Sequence, residues 1–383
     1  MSRLRRARLL RLAIALACGA LGSAAAQPAP AALPPIRHVF VLMLENESYE
    51  STFAENSRAP YLAHTLPARG ALLRQYYSIG HLSLGNYVAL ISGQAPNQAT
   101  QLDCPQFAEF RPTAAALDGH GQLPGLGCVY PRSVPTLPDQ LEAAGFSWKA
   151  YMEDMGNNPR RERATCGHVA IGAPDPTQGA QIGDQYASKH NPFVYFHSII
   201  DDPVRCDAHV VNLAQLEQDL QRAETTPNYV FITPNLCDDG HDDPCVDGRP
   251  GGFAAVDRFL SKWVPLIEDS PAFRAAGMLV ITFDESGSAG PSGSRACCGE
   301  RGLPGARYPP GLTGPGGGRV GALVLSPFVA PGTVSDQPYN HYALLRTVEA
   351  IFSLPPLGYA AAPDLNAFGA DVFSAAAPHP PAQ

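Results

Sequence analysis

The run HVFVLML, residues 38–44, has one polar residue in seven. That is too continuous for a strand with one face in water. It fits a central parallel strand whose two faces are both covered. The run passes directly into Glu45 and Asn46, whose side-chain oxygens need water or a positive partner. A buried strand that ends on an acid and an amide demands other polar groups at that end, and this demand constrains the rest of the chain.

Five more apolar runs read as strands from their β-branched and aromatic content: residues 146–152, 192–199, 228–234, 278–284 and 319–326. Helical spacing falls between them at 86–93, 136–145, 212–223, 252–267 and 341–353. Alternation of this kind predicts an α/β fold, a mainly parallel central sheet with helices on both faces. Segments 93–135, 153–190 and 285–318 are loop-rich, and the last is heavy in glycine and proline.

The first 26 residues read as a signal peptide, with a basic start, a short apolar stretch and a small-residue cleavage context after Ala26. Cys18 within LACG offers a lipoprotein-type alternative, which the better-placed AAAQ site disfavours. No later stretch approaches the roughly 18 apolar residues of a transmembrane helix. Five arginines lie in that leader, so 22 basic residues face 35 acidic ones beyond it, a formal charge of −13. Such a surface argues against a nucleic-acid partner. Eight cysteines remain, an even number that suits disulfides in a secreted or periplasmic protein. The adjacent Cys297 and Cys298 are expected to bond to two separate partners. One catalytic domain is expected over 36–370, followed by a flexible tail at 371–383. Oligomeric state is not legible.

Parallel sheets collect ligands at the carboxyl ends of their strands. Here those ends carry Glu45-Asn46, His197, the stretch NLCDDGHDD and Asp284-Glu285. Carboxylate and amide oxygens suit a hard divalent cation. Asp238, Asp239, Asp242 and Asp243 cannot be ranked, and their spacing is not that of an EF-hand. Ser83, just ahead of a helix expected near Asn86, is a nucleophile candidate because helix-start N–H groups favour phosphate. His81 lies two residues before it. His197, His241 and His341 are candidates for proton transfer.

The segments LMLENESYESTF, HLSLGNYVALISGQAPN, YVFITPNLCDDGHD, MLVITFDES and YNHYALLRTVEAIF, in this order over roughly 36–359, resemble motifs of the bacterial phosphoesterase family of acid phosphatases and phospholipases C. That family is similar in fold and metal logic to alkaline phosphatase. The resemblance implies metal ligands at Glu45, Asn46, Asp284 and Glu285, a nucleophile at Ser83 and a phosphate contact at Asn86. It implies a phosphorylated small molecule or lipid headgroup as substrate. Gly85 stands where the family often has proline. The late acidic pair lacks the histidine of dinuclear relatives, so one divalent cation is expected.

These readings converge on a metal-dependent phosphomonoesterase with a phosphoserine intermediate. A phosphodiesterase of phospholipase C type uses the same site. A metal-independent serine esterase would use Ser83, Asp284 and His341, which occur in the chain order of that triad. A non-enzymatic secreted binding protein would leave the polar strand ends unexplained.

Overall fold

His38–Leu44 forms a strand in which Val39 to Leu44 are all buried, and it lies in the interior of an eight-stranded sheet. The computed structural model describes residues 33–287 and 293–374. The sheet strands are β1 (His38–Leu44), β2 (Ala71–Leu73), β3 (Trp148–Met152), β4 (Val210–Asn212), β5 (Tyr229–Thr233), β6 (Gly277–Phe283), β7 (Ala322–Leu325) and β8 (Thr333–Ser335). Their order is β8-β2-β7-β6-β1-β5-β3-β4. Only β7 runs against the others among the described strands. The apolar content of β1 therefore has the expected cause, a parallel strand between two parallel neighbours and covered on both faces.

The flanking helices include α1 (Ser83–Ser92), α2 (Leu137–Ala143), α3 (Gly252–Asp269) and α4 (His341–Ile351). α2 starts at a capping box between Thr136 and Asp139. α4 starts at Asn340, whose side chain accepts from the Ala343 amide. Short pairing of Tyr76–Tyr77 with Tyr339–Asn340 sets the start of α4 beside the loop that leads to α1. The described residues group into one compact unit. No helix among the described residues is long and apolar enough to cross a membrane.

Several expectations are corrected. Residues 192–199 are not a strand. Pro192–Tyr195 forms a 3-10 turn and His197–Ile200 a short helix. The apolar run reflects burial of Phe193, Val194, Tyr195 and Phe196, which periodicity cannot distinguish from a short strand. The helix expected at 212–223 shrinks to Leu216–Asp219. At its front Val210–Asn212 joins the sheet as β4, and Asn212 caps the Ala214 amide. At its back the Thr225 and Thr226 hydroxyls each take the Asp219 carbonyl at 2.9 Å. The tail expected from 371 begins packed. Asp371 accepts from the Tyr339 hydroxyl at 2.9 Å, Val372 and Phe373 are buried, and the Ser374 amide bonds the Phe328 carbonyl. The leader at 1–26 and residues 375–383 lie outside the described residues.

Cysteines pair as 104–128, 166–206, 237–245 and 297–298. Cys297 and Cys298 thus bond to each other, against expectation, since the surrounding loop brings no other cysteine to them. Loop-closure entropy makes the pairs unequal. The Cys166–Cys206 bond spans 40 residues and contributes about 3–4 kcal/mol on the chain-entropy model, whereas a bond between neighbours closes no long loop. Replacing Cys166 and Cys206 by serine should lower the denaturant midpoint clearly, and the same change at Cys297 and Cys298 should lower it far less.

Glu349, on α4, is buried and accepts from the Leu357 amide at 2.8 Å, while its second oxygen has no hydrogen-bond partner. Burial pushes its carboxyl from 4.5 up to about 8, against the pull of the Leu357 amide and Arg346. The folded chain then holds a proton that the unfolded chain has lost, so stability falls as pH rises from about 4.5 to about 8. Glu349→Gln should remove that part of the slope and raise the melting temperature relative to wild type at pH 8 more than at pH 5.

Candidate active site

Glu45 leaves β1 and sits fully buried at the carboxyl edge of the sheet. Four side chains converge on it. Ser83 Oγ, at the start of α1, donates to Glu45 Oε2 at 2.9 Å. Tyr87, one helical turn on, donates to Glu45 Oε1 at 2.5 Å. Asn46 Nδ2 donates to Glu45 Oε2 at 3.3 Å. His190 Nε2 lies 3.3 Å from Glu45 Oε1, and its Nδ1 lies 3.2 Å from Asp239 Oδ2. The Tyr87 ring stacks on His190 with centroids 5.3 Å apart, so one helix face positions both the nucleophile candidate and the imidazole.

Asp239 follows β5, and its carbonyl accepts from the Glu45 amide at 2.9 Å, which ties the two strand ends together. The Cys237–Cys245 bond braces this loop. Gly240 between Asp239 and His241 has φ +104°, and an added Cβ would lie 3.3 Å from the Glu45 carbonyl. Glycine is required there by backbone conformation and by the close approach to Glu45. Asp284, after β6, accepts the Asn46 amide at 3.2 Å. Asn46 adopts φ +59°, a left-handed conformation that asparagine tolerates well.

Three acids are thus buried close together. Burial, then Asp284 and Asp239, push the Glu45 carboxyl well above its usual range. Burial and the Asp284 charge do the same to Asp239, and burial pushes Asp284 up to about 7. Burial, with Lys189 and His241 adding to it, holds His190 well below the usual imidazole range. Both His190 ring nitrogens, Asp239 Oδ2 and Asp284 Oδ2 are buried without a hydrogen-bond partner. Buried polar atoms left unsatisfied, among carboxylates that repel, fit a bound divalent cation. Ligand atoms of Glu45, His190 and Asp239 lie within 4.8 Å of one another. A mixed imidazole and carboxylate set admits zinc, manganese or iron as well as harder ions. One ring nitrogen of His190 can ligate while the other donates to the second carboxylate, the usual arrangement of an oriented metal-binding histidine.

The candidates from sequence are distributed as follows. Glu45, Asn46, Ser83 and Asp284 come together. Glu285, past the end of β6, pairs with His81. Asn86 is not available to a phosphate. Its side chain accepts from the Ile79 and Gly80 amides and donates to the Gly80 and Leu82 carbonyls, which shapes the loop before Ser83. Ser83 is the first residue of α1 rather than a residue ahead of it. His197 pairs with Asp201 and Glu109 outside this cluster. His341 is buried, with Nε2 donating to the Asp284 carbonyl at 2.7 Å and Nδ1 accepting from the Tyr76 hydroxyl at 3.0 Å. It positions Asp284 and does not form an esterase triad, since Ser83 bonds Glu45. His241 is exposed beside the cluster, its ring 6.0 Å from that of His190, with Nδ1 on Asp242.

His190 was missed, and Asp239 was not singled out from its acidic neighbours. The KHNPF stretch held the signal, but its apolar continuation invited a strand reading and drew attention to His197 at the far end. The assembled cluster predicts that His190→Ala lowers divalent-metal affinity by one to two orders of magnitude, measured by calorimetry on the metal-stripped protein. His197→Ala should leave that affinity unchanged.

Residues 55–355 match the Phosphoesterase family. A phosphate-repressible acid phosphatase of Penicillium chrysogenum is 27% identical over 324 residues, covering 83% of this chain and 59% of that protein. A phosphatidylinositol-3-phosphatase of Mycobacterium tuberculosis is 25% identical over 335 residues, covering 87% of this chain and 82% of its own. The chain thus spans under two thirds of the length of the fungal relative and most of the mycobacterial one. Among solved structures, a protein in the alkaline phosphatase superfamily from Vibrio parahaemolyticus superposes with TM-score 0.48 at 11% identity, over 85% of this chain and 68% of that one. With its family match spanning most of its length, this chain belongs to the Phosphoesterase family.

Proposed function

We propose that this protein is a metal-dependent phosphomonoesterase of the acid phosphatase kind, in which Ser83 receives the phosphoryl group. The observation that carries this reading is the hydrogen bond from Ser83 Oγ to Glu45, within a buried cluster whose unpaired His190 and Asp239 atoms fit a cation. A bound divalent ion would supply positive charge for the phosphate oxygens and acidify the serine hydroxyl. Glu45, His190 and Asp239 would hold it, with Asp284 beside them.

Glu45 holds the Ser83 hydroxyl in place through its proton, so that Oγ is oriented for attack. Ser83 Oγ passes its proton to Glu45 as it bonds to phosphorus, the bond to the leaving alkoxide breaks, and the leaving oxygen takes a proton. His241 suits that donation as the imidazolium, with its Nδ1–H held by Asp242 and its Nε2–H passed to the leaving oxygen. Water then attacks the phosphoserine, with His241 accepting its proton; the Oγ–P bond breaks, Glu45 returns the proton to Ser83 Oγ, and inorganic phosphate departs. The first turn of α1 offers backbone N–H groups to the phosphate oxygens. A cavity of about 430 Å³ is bordered by Glu47, Ser48, Ser286 and Gly287, chain neighbours of Asn46 and Glu285, and this reading assigns it to the alcohol portion.

Phosphatase names among the similar fungal and mycobacterial proteins favour monoesters over diesters. A phosphodiesterase of phospholipase C type shares every group named above and remains the second reading. Four disulfides support an oxidising compartment, secreted or periplasmic.

Ser83→Ala should abolish phosphate release from a p-nitrophenyl monoester while the melting temperature stays close to wild type. Normal turnover by a folded Ser83→Ala chain would remove Ser83 from this role. Side-by-side assays should give free phosphate from monoesters much faster than phosphocholine from phosphatidylcholine. The reverse ratio would make the protein a phospholipase C.

A further inference from the structure

Lys189 precedes His190 in the chain and is itself buried, an unusual position for a lysine. Its Nζ lies 3.2 Å from Asp103 Oδ2, and Asp103 Oδ1 accepts the Leu84 amide at 3.0 Å. One carboxylate therefore joins the ammonium to the residue immediately after Ser83. A buried ion pair is a weak source of stability, since desolvation offsets most of its attraction. Tying two loops together does not by itself call for a lysine here.

The surrounding charges point further. Lys189 acts electrostatically on Glu45, Asp239 and Asp284, the acids of the proposed metal centre, as well as on Asp103. Glu285, the remaining acid at the β6 end, faces His81 instead. The cluster of described residues therefore has a ligand set for one ion at Glu45, His190 and Asp239, with a fixed organic cation next to it. Phosphoryl transfer spreads negative charge over three nonbridging oxygens, more than one ion and one serine can cover. An ammonium has three N–H donors, and Asp103 uses one.

We propose that Lys189 is a catalytic residue whose ammonium holds a nonbridging oxygen of the phosphate ester beside Ser83, in the place a second metal ion would otherwise fill. Asp103 is its positioning residue. This rests on Ser83 as the phosphoryl acceptor. It explains how a centre with one ligand set meets the charge of the reaction, and why a lysine is buried next to the metal-facing histidine.

The test combines three measurements on the full chain. Elemental analysis of the wild-type protein, loaded with divalent metal and desalted, should give one ion per chain; two ions would overturn the proposal. Calorimetry with orthovanadate, a mimic of the transferring phosphoryl group, should show affinity reduced 100-fold or more in Lys189→Ala and Lys189→Met at unchanged metal content. Methylammonium should restore vanadate binding and turnover to Lys189→Ala and have no effect on the wild type. Variants that fold and bind vanadate like wild type would overturn the proposal, as would variants that have lost the metal. If neither variant folds, the wild-type metal count decides. A wild type that binds vanadate in this manner but releases no phosphate from monoesters would sink the monoesterase reading and leave Lys189 in place.

Discussion

Burying Glu45, Asp239 and Asp284 at one edge of a sheet is the constraint on which the rest of the structure depends. Carboxylates removed from water and set near one another repel, and each resists ionisation unless a cation or a hydrogen-bond network offsets the cost. The protein meets part of that cost with Tyr87, Ser83 and the Asn46 amide, and part with Lys189. What remains unsatisfied is concentrated on His190, Asp239 and Asp284. Unpaired polar atoms gathered among buried carboxylates call for a partner, and a cation fits that need.

Support for the centre comes from many distant segments. Helix α1 supplies Ser83 and Tyr87 on one face, and Asn86 spends its whole amide on the loop that leads into them. His341 reaches from α4 to the Asp284 carbonyl, which as an acceptor fixes the proton on Nε2, so that Tyr76 donates to Nδ1. The Cys237–Cys245 bond and Gly240 hold the loop that presents Asp239. Apart from Ser83, these residues do not touch a substrate in the proposed reaction. They make the geometry rigid, and rigidity at this scale is what electrostatic catalysis requires.

β1, β5 and β6 were legible because central parallel strands are apolar throughout, a signal that survives without any neighbour. Helices α2 and α3 were legible from their helical spacing. The short strands β2, β4 and β8, of three residues each, carry too little pattern to stand out. The run 192–199 misled because its apolar residues are buried in 3-10 and helical turns, where continuous burial looks the same as in a strand.

By itself, the sequence determined that buried parallel strands end on acids and amides, that a serine lies near a helix start, and that these features follow the order of a phosphoesterase. Those are local properties, carried by contiguous residues. Only the tertiary structure decided which polar groups meet. Asp239 and His190 join Glu45, while Glu285 and His197 find partners elsewhere and Asn86 turns inward. The physical reason is that convergence depends on strand order, on the side of the sheet each residue faces, and on loops whose paths have no periodic signature. His190 is 145 residues from Glu45 in the chain and 3.3 Å from it in space, a relation that exists only once the sheet has formed.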